Sequence, residues 1–152
     1  MTGLVYPVRF GGFCRAGIIT WNGKEGNPLN VLCVDQDRTK LRQMKRDAKE
    51  IVPDARIAAC RDPSRAERLT REKGYDVLLT NTVFDWSNWD GMILARKIQS
   101  VCPRANIIFI ADRADTTAAY DAWQIGASAF LLRPYEKQRL AQALADPRFA
   151  QV

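Results

Sequence analysis

The sequence predicts one α/β domain: a doubly wound, five-stranded parallel sheet covered by helices on both faces, three layers in all. Three observations carry that expectation. From residue 30 onward, five short apolar runs alternate with five amphipathic segments. The runs are continuous rather than alternating, as strands buried on both faces require. The connections between them are short, which suits crossover helices on a parallel sheet. A chain of 152 residues is the size of one ordinary domain and can bury a single core.

Each element has its own signal. Val31-Leu-Cys-Val34 is the first apolar run. Over residues 39–51, Leu41, Met44, Ala48 and Ile51 fall at spacings of three, four and three, a helical stripe that Pro53 ends. Residues 56–59 make a second short strand. Asp62-Pro63 opens the next helix, with Asp at the cap and Pro at the first helical position. Residues 76–80 are the third strand. A polar and aromatic loop over 81–90 leads into a helix from about residue 91 to 102, stopped by Pro103. Residues 106–110 are the fourth strand. A helix over about 116–124 ends at Gly126, which suits a left-handed cap. Residues 129–132 are the fifth strand, and the last helix runs from 136 to about 145.

Residues 1–29 differ from the rest of the chain, holding six of the nine glycines and one acid, Glu25. They are read as an N-terminal extension of unknown structure, residues 30–145 as the domain, and 146–152 as a C-terminal tail. Residues 17–21 followed by Asn22-Gly23 fit a strand and a primed turn, and fit a disordered leader equally well.

Composition excludes several classes of function. There is no histidine, so His-based acid–base catalysis, His metal ligation and a His phosphorelay site on this chain are excluded. Cys14, Cys33, Cys60 and Cys102 lie far apart with no metal-ligand spacing, and read as reduced cysteines of a cytoplasmic protein. No apolar run can span a bilayer, and Arg9 and Arg15 interrupt any signal-peptide core. The net charge is +6. Its cations concentrate over residues 38–73, interleaved with acids along two helices, a pattern that usually marks a solvated face.

In a doubly wound sheet the working site lies at the C-terminal ends of the strands. Here those ends carry Asp35, Gln36 and Asp37, then Asn81, Ala111, and Arg133-Pro134. The runs Val34-Asp-Gln-Asp37, Asp76-Val-Leu-Leu-Thr-Asn81, Asp90-Gly91, Ile107-Ile-Phe-Ile-Ala111 and Gly126-Ala-Ser-Ala-Phe-Leu-Leu-Arg-Pro134 together resemble the receiver domain of bacterial response regulators. The resemblance covers about residues 30–145 and is most specific over 126–134. It implies the flavodoxin-like topology and a role in two-component signal transduction. It also implies a cis Arg133-Pro134 peptide.

In that family an acidic pair and an acceptor aspartate bind Mg²⁺, while a hydroxyl residue and a lysine hold the phosphoryl group. Aligned with it, the acceptor position is Asn81, no competent nucleophile, and Gln36 replaces one acid of the pair. Ala111 stands at the hydroxyl position and Arg133 at the lysine position. Asp35 and Phe130, the switch aromatic, keep the family type. The resemblance is therefore to a degenerate, pseudo-receiver form, with no catalytic residue, metal or cofactor expected. Arg133 is expected to pair with Asp35 inside the vacated pocket, with Asp37 as a second candidate. Asp37 otherwise reads as a helix cap. Phe84, Trp86 and Trp89 read as rings folded over the pocket, or as a contact surface.

The leading functional expectation is a non-enzymatic, phosphorylation-independent interaction domain. It would form a homodimer or bind a protein partner through residues 116–145, with Tyr120, Trp123 and Tyr135 as candidate anchors. Family geometry would bury at least one of the three. Two alternatives are a nucleic-acid-binding module using the first and second helices, and a flavodoxin-like cofactor binder. The absence of a nucleic-acid recognition motif argues against the first, and that of a P-loop or GxGxxG against the second. Whether the chain stands alone or belongs to a longer regulator is open.

Overall fold

The five apolar runs form one parallel sheet in the computed structural model, which describes residues 6–10, 13–17, 28–84 and 90–145. Two strands precede them. β1 (Tyr6–Phe10) and β2 (Phe13–Gly17) pair antiparallel as a hairpin, and β1 runs beside the last helix of the chain. The strand expected over 17–21 and its Asn22-Gly23 turn lie outside the described residues except for Gly17, which ends β2. The main sheet holds β3 (Asn30–Val34), β4 (Arg56–Cys60), β5 (Val77–Thr80), β6 (Asn106–Ala111) and β7 (Ala129–Leu132). Their order is β4-β3-β5-β6-β7, all parallel.

Burial follows position in the sheet. Every residue of the central strands β5 and β6 is buried, whereas the edge strands β4 and β7 are only partly so. Five helices cover the two faces: α1 (Arg38–Ile51), α2 (Pro63–Lys73), α3 (Gly91–Val101), α4 (Thr116–Gln124) and α5 (Lys137–Leu144). Because side chains alternate along a strand, each run feeds two cores. Val31, Cys33, Val77, Leu79, Ile108 and Ile110 pack with Met44 and Ile51 of α1 and Leu140 and Leu144 of α5. Leu32, Val34, Leu78, Ile107 and Phe109 pack with Ala66 of α2, Leu94 and Ile98 of α3, and Ala122 of α4. The α1 stripe expected from spacing is thus its buried face.

Burial pushes the Cys33 thiol up to about 12 and the Cys60 thiol up to about 11. Neither is a thiolate near neutrality, so both act as small core residues. No helix among the described residues is long and apolar enough to cross a membrane.

Aspartates start four of the helices. Asp37 accepts from the Thr39 and Lys40 amides, Asp62 from Ser64, Asp90 from Ile93 and Asp115 from Ala118. Each satisfies amides that the first helical turn leaves without intrahelical partners. Gly126 ends α4 at a φ of 81°, the left-handed conformation its place in the sequence suggested. Gly91 is required for space instead. It opens α3 against the loop after β5, and its amide donates to the Thr82 carbonyl at 2.9 Å. A Cβ there would lie 2.2 Å from the Asn81 carbonyl oxygen and 2.9 Å from Thr82 Cα.

Both of those contacts are with backbone, so neither can relax by a rotamer change. Gly91→Ala should therefore push α3 off the sheet rim and cost about 1–3 kcal/mol, the opposite sign to an ordinary Gly→Ala change inside a helix. Chemical denaturation checks this; an alanine variant as stable as wild type would mean the loop yields freely.

Candidate functional site

Parallel strands with crossover helices bring all strand C-termini and all helix N-termini to one rim. Asp35 follows β3, Asn81 follows β5, Ala111 ends β6 and Arg133 follows β7, and the four meet there. Asp35 and Asn81 border an open cleft of about 630 Å³, whose lining also includes Gln36, Asp37 and, from the loop after β6, Asp112 and Asp115.

The cleft floor is an alternating chain of charges. Asp35 is fully buried (0% exposed), and one of its oxygens accepts the Asp37 amide at 2.9 Å. The other accepts Nη2 of Arg133 at 2.8 Å. Nη1 of Arg133 reaches Asp112 at 3.1 Å, and Lys40 of α1 meets the same Asp112 oxygen at 3.0 Å. The expected Arg133–Asp35 pair is present. The second partner is Asp112 rather than Asp37, whose carboxylate is committed to the Lys40 and Thr39 amides as a helix cap. The Lys40 amide bond, chiefly, holds the Asp37 carboxyl below the usual range. Burial would raise the Asp112 carboxyl, but hydrogen bonds from Lys40 and Arg133 outweigh it and leave it low.

Asn81 is buried and held by its surroundings. Its amide donates to the Val34 carbonyl at 3.1 Å, its side-chain oxygen accepts the Thr82 amide at 2.7 Å, and the Thr80 hydroxyl donates to its carbonyl at 2.9 Å. Ala111 is buried and accepts the Arg133 amide at 2.9 Å through its carbonyl. Gln36 uses its carbonyl to accept Arg61 Nε at 2.7 Å. The Arg133-Pro134 peptide is cis.

The aromatic candidates separate. Phe130 is half-buried against Phe109, ring centroids 6.2 Å apart, in the α2–α3–α4 core. Tyr120 and Trp123 of α4 are 57% and 71% exposed and lie against each other at 6.0 Å. Tyr135 does not share that exposure. It is partly buried against the α1–α5 core, and its hydroxyl donates to the buried carboxylate of Asp47 at 2.7 Å. Burial and then that carboxylate raise the Tyr135 hydroxyl well above the usual tyrosine range. Phe84 is buried in the second core, as a ring folded inward would be. Trp86 and Trp89 lie outside the described residues.

Sequence reasoning missed Asp112 and Lys40. Asp112 directly follows the expected hydroxyl position, so its place at the rim was readable. The Lys40 contact depends on how α1 tilts over the rim, which no spacing records.

Comparison with known proteins agrees with this geometry. The family model of the response regulator receiver domain matches residues 31–145, and the chain belongs to that family. Its fold is shared with a signal receiver domain of an HD domain-containing protein from Pseudomonas fluorescens Pf-5. That pair is 19% identical with a TM-score of 0.73, over 83% of this chain and 100% of the other. It is also similar to a response regulator receiver domain protein from Clostridium thermocellum (21% identity, TM-score 0.68, 81% and 94% covered). The N-terminal domain of a protein from Wolinella succinogenes is similar at 22% identity, with a TM-score of 0.68 over 81% of this chain and 96% of the other. Comparison with curated proteins gives no match.

The family implies Mg²⁺ at this rim, but the donors here do not fit it. A hard divalent cation needs several anionic oxygens converging on one point. Both Asp35 oxygens are taken, one by a backbone amide and one by a guanidinium. Gln36 and Asn81 are uncharged, and among the described residues no three acidic or Cys side chains converge on a common point.

Arg133 is 13% exposed in its side chain and Asp35 fully buried, so removing the cation strands a buried carboxylate. Arg133→Ala should cost about 2–4 kcal/mol by chemical denaturation. A loss within a few tenths of a kcal/mol would mean that water replaces the guanidinium at no cost. Asp112 offers a pH test. Its folded pKa is depressed, so its contribution is present above the ordinary carboxylate value and disappears as pH falls through the folded one. Wild type should exceed Asp112→Asn by up to about 1 kcal/mol near neutrality. The gap should close as the pH drops below about 4. A gap that widens on acidification would reverse the sign assigned here.

Proposed function

We propose that this receiver domain acts without phosphorylation, as a constitutive protein-interaction module of two-component signalling in the cytoplasm, with no enzymatic activity of its own. The observation that carries the reading is the engagement of Asp35 by Arg133 beside an amide at the acceptor position. A carboxamide does not attack a phosphoryl donor. Ala111 offers no hydroxyl to follow a phosphoryl oxygen. The one retained carboxylate of the acidic pair already has its counter-charge. A two-state switch needs a ligand that binds one state better, and these substitutions remove the family's ligand. Phe130 would then rest in one position against Phe109.

The contact surface would be the face made by α4, β7 and α5, residues 116–145. Tyr120 and Trp123 stand exposed on it together with Leu132 at its strand edge. Aromatic side chains with this much exposure suit the buried centre of an interface. A second copy or another protein could cover them, and the same surface serves both.

Two measurements test the proposal. Acetyl phosphate or beryllofluoride with Mg²⁺ should leave the intact mass and the amide NMR spectrum unchanged; saturable shifts around Asn81 would sink the phosphorylation-independent reading. Analytical ultracentrifugation over micromolar concentrations should show self-association that Tyr120→Asp and Trp123→Asp abolish. A strict monomer that also retains no host protein would leave the interaction reading without support.

A further inference from the structure

The interleaving of charges that the sequence shows over residues 38–50 does not survive folding. One residue of helix turns the chain by about 100°. On that wheel Arg38, Arg42, Lys45, Arg46 and Lys49 fall within an arc of about 100°. All five are exposed. The two acids of α1 lie elsewhere: Asp47 is buried and accepts the Tyr135 hydroxyl, and Glu50 pairs with Lys137 of α5. Among the described residues no carboxylate forms a salt bridge with Arg38, Arg42, Lys45 or Arg46. Lys49 donates to the Ala55 carbonyl. The result is a stripe of like charge about 16 Å long with no apolar side chain in it.

α2 is different. It lies on the opposite face of the sheet, its Arg71 is paired with Glu67 at 3.3 Å, and Glu72 is exposed beside its cations. The two basic helices therefore do not form the single surface that the sequence suggested.

We infer that the exposed face of α1 is a sequence-independent binding surface for the phosphate backbone of nucleic acid. Charge complementarity selects the occupant. Like charges held together without counter-ions repel one another, and a polyanion relieves that repulsion while releasing its own condensed cations. A stripe about 16 Å long spans roughly five phosphate steps of one strand, so its cations can meet successive phosphates. The face lacks the apolar side chains that an amphipathic helix buries in a membrane surface. It presents no asparagine and only Gln43 near the stripe, so the amide pairing that reads adenine is nearly absent, and its cations are left to meet phosphates. This surface lies on the other side of the sheet from Tyr120 and Trp123, and it stands or falls independently of the interaction proposed for α4.

The test is fluorescence polarisation with a labelled mixed-sequence DNA duplex across a salt series. Binding is expected at low salt, with log K falling against log salt at a slope of about −3.6 if four cations each meet one phosphate. The Arg42→Glu/Lys45→Glu/Arg46→Glu variant should lose at least about tenfold in affinity, while Arg65→Glu/Arg68→Glu on α2 stays within about twofold of wild type. The single Arg42→Ala variant, too mild to threaten the fold, should lower the slope by about one contact's worth, 0.9. Sedimentation of the α1 variants should be unchanged, which separates this outcome from failure of the α4 interface. No binding at low salt, a slope near zero, or loss on α2 reversal but not on α1 reversal would overturn the assignment. So would equal affinity for poly-glutamate or for phosphatidylglycerol vesicles.

Discussion

A fully buried carboxylate at the end of the first sheet strand needs a counter-charge, and Arg133 supplies it from the end of the last. Taking Asp35 out of water unpaired would cost several kcal/mol, a large share of what a domain of this size has to spare. The guanidinium suits the place because its planar fork can serve two carboxylates at once, Asp35 below and Asp112 at the rim. Lys40 then steadies Asp112 from α1. Helix α1 and the ends of three sheet strands thus converge on one ionic chain.

The acidity of the rim has a topological origin. Parallel strands joined by helices place every helix start beside the strand ends. Asp37 and Asp115 are there as caps, drawn by free amides and by the positive end of each helix dipole. Asp35 and Asp112 add to the same rim. An arrangement that concentrates so many carboxylates requires cations, and the site is organised around meeting that requirement. In the family at large a metal ion is expected to do this. In this chain a side chain does.

Much of the fold could be read from the chain because the strong signals are local. The continuous apolar runs gave every strand of the main sheet to within a residue or two, and Asp62-Pro63, Pro53 and Gly126 set helix ends by backbone chemistry alone. The positions of Asp35, Asn81, Ala111 and Arg133 followed from strand ends and a known order of motifs. What was not legible depends on distant parts meeting. The Asp112–Lys40 contact joins a loop and a helix far apart in sequence, and Tyr135 turned inward because Asp47, also distant along the chain, lies buried opposite it. The segregation of charge on α1 also needed the fold, since only packing decides that Asp47 faces inward. The β1–β2 hairpin was missed because Pro7 and Arg9 interrupt its first strand and Arg15 its second, so neither holds the continuous apolar run that marks the main sheet.

Asp35 and Arg133 stand 98 positions apart, and the loop they close contains all of β4, β5, β6 and β7. By loop-closure entropy such a contact is expected to form late, once the intervening strand pairs have shortened the loop. On that expectation the ion pair contributes little to the speed of folding. Its weight falls on the reverse process. An interaction made after the transition state must be broken before the sheet can open, so it lengthens the lifetime of the folded chain. The residue that stands where a receiver has its phosphate-binding lysine is, in kinetic terms, a latch.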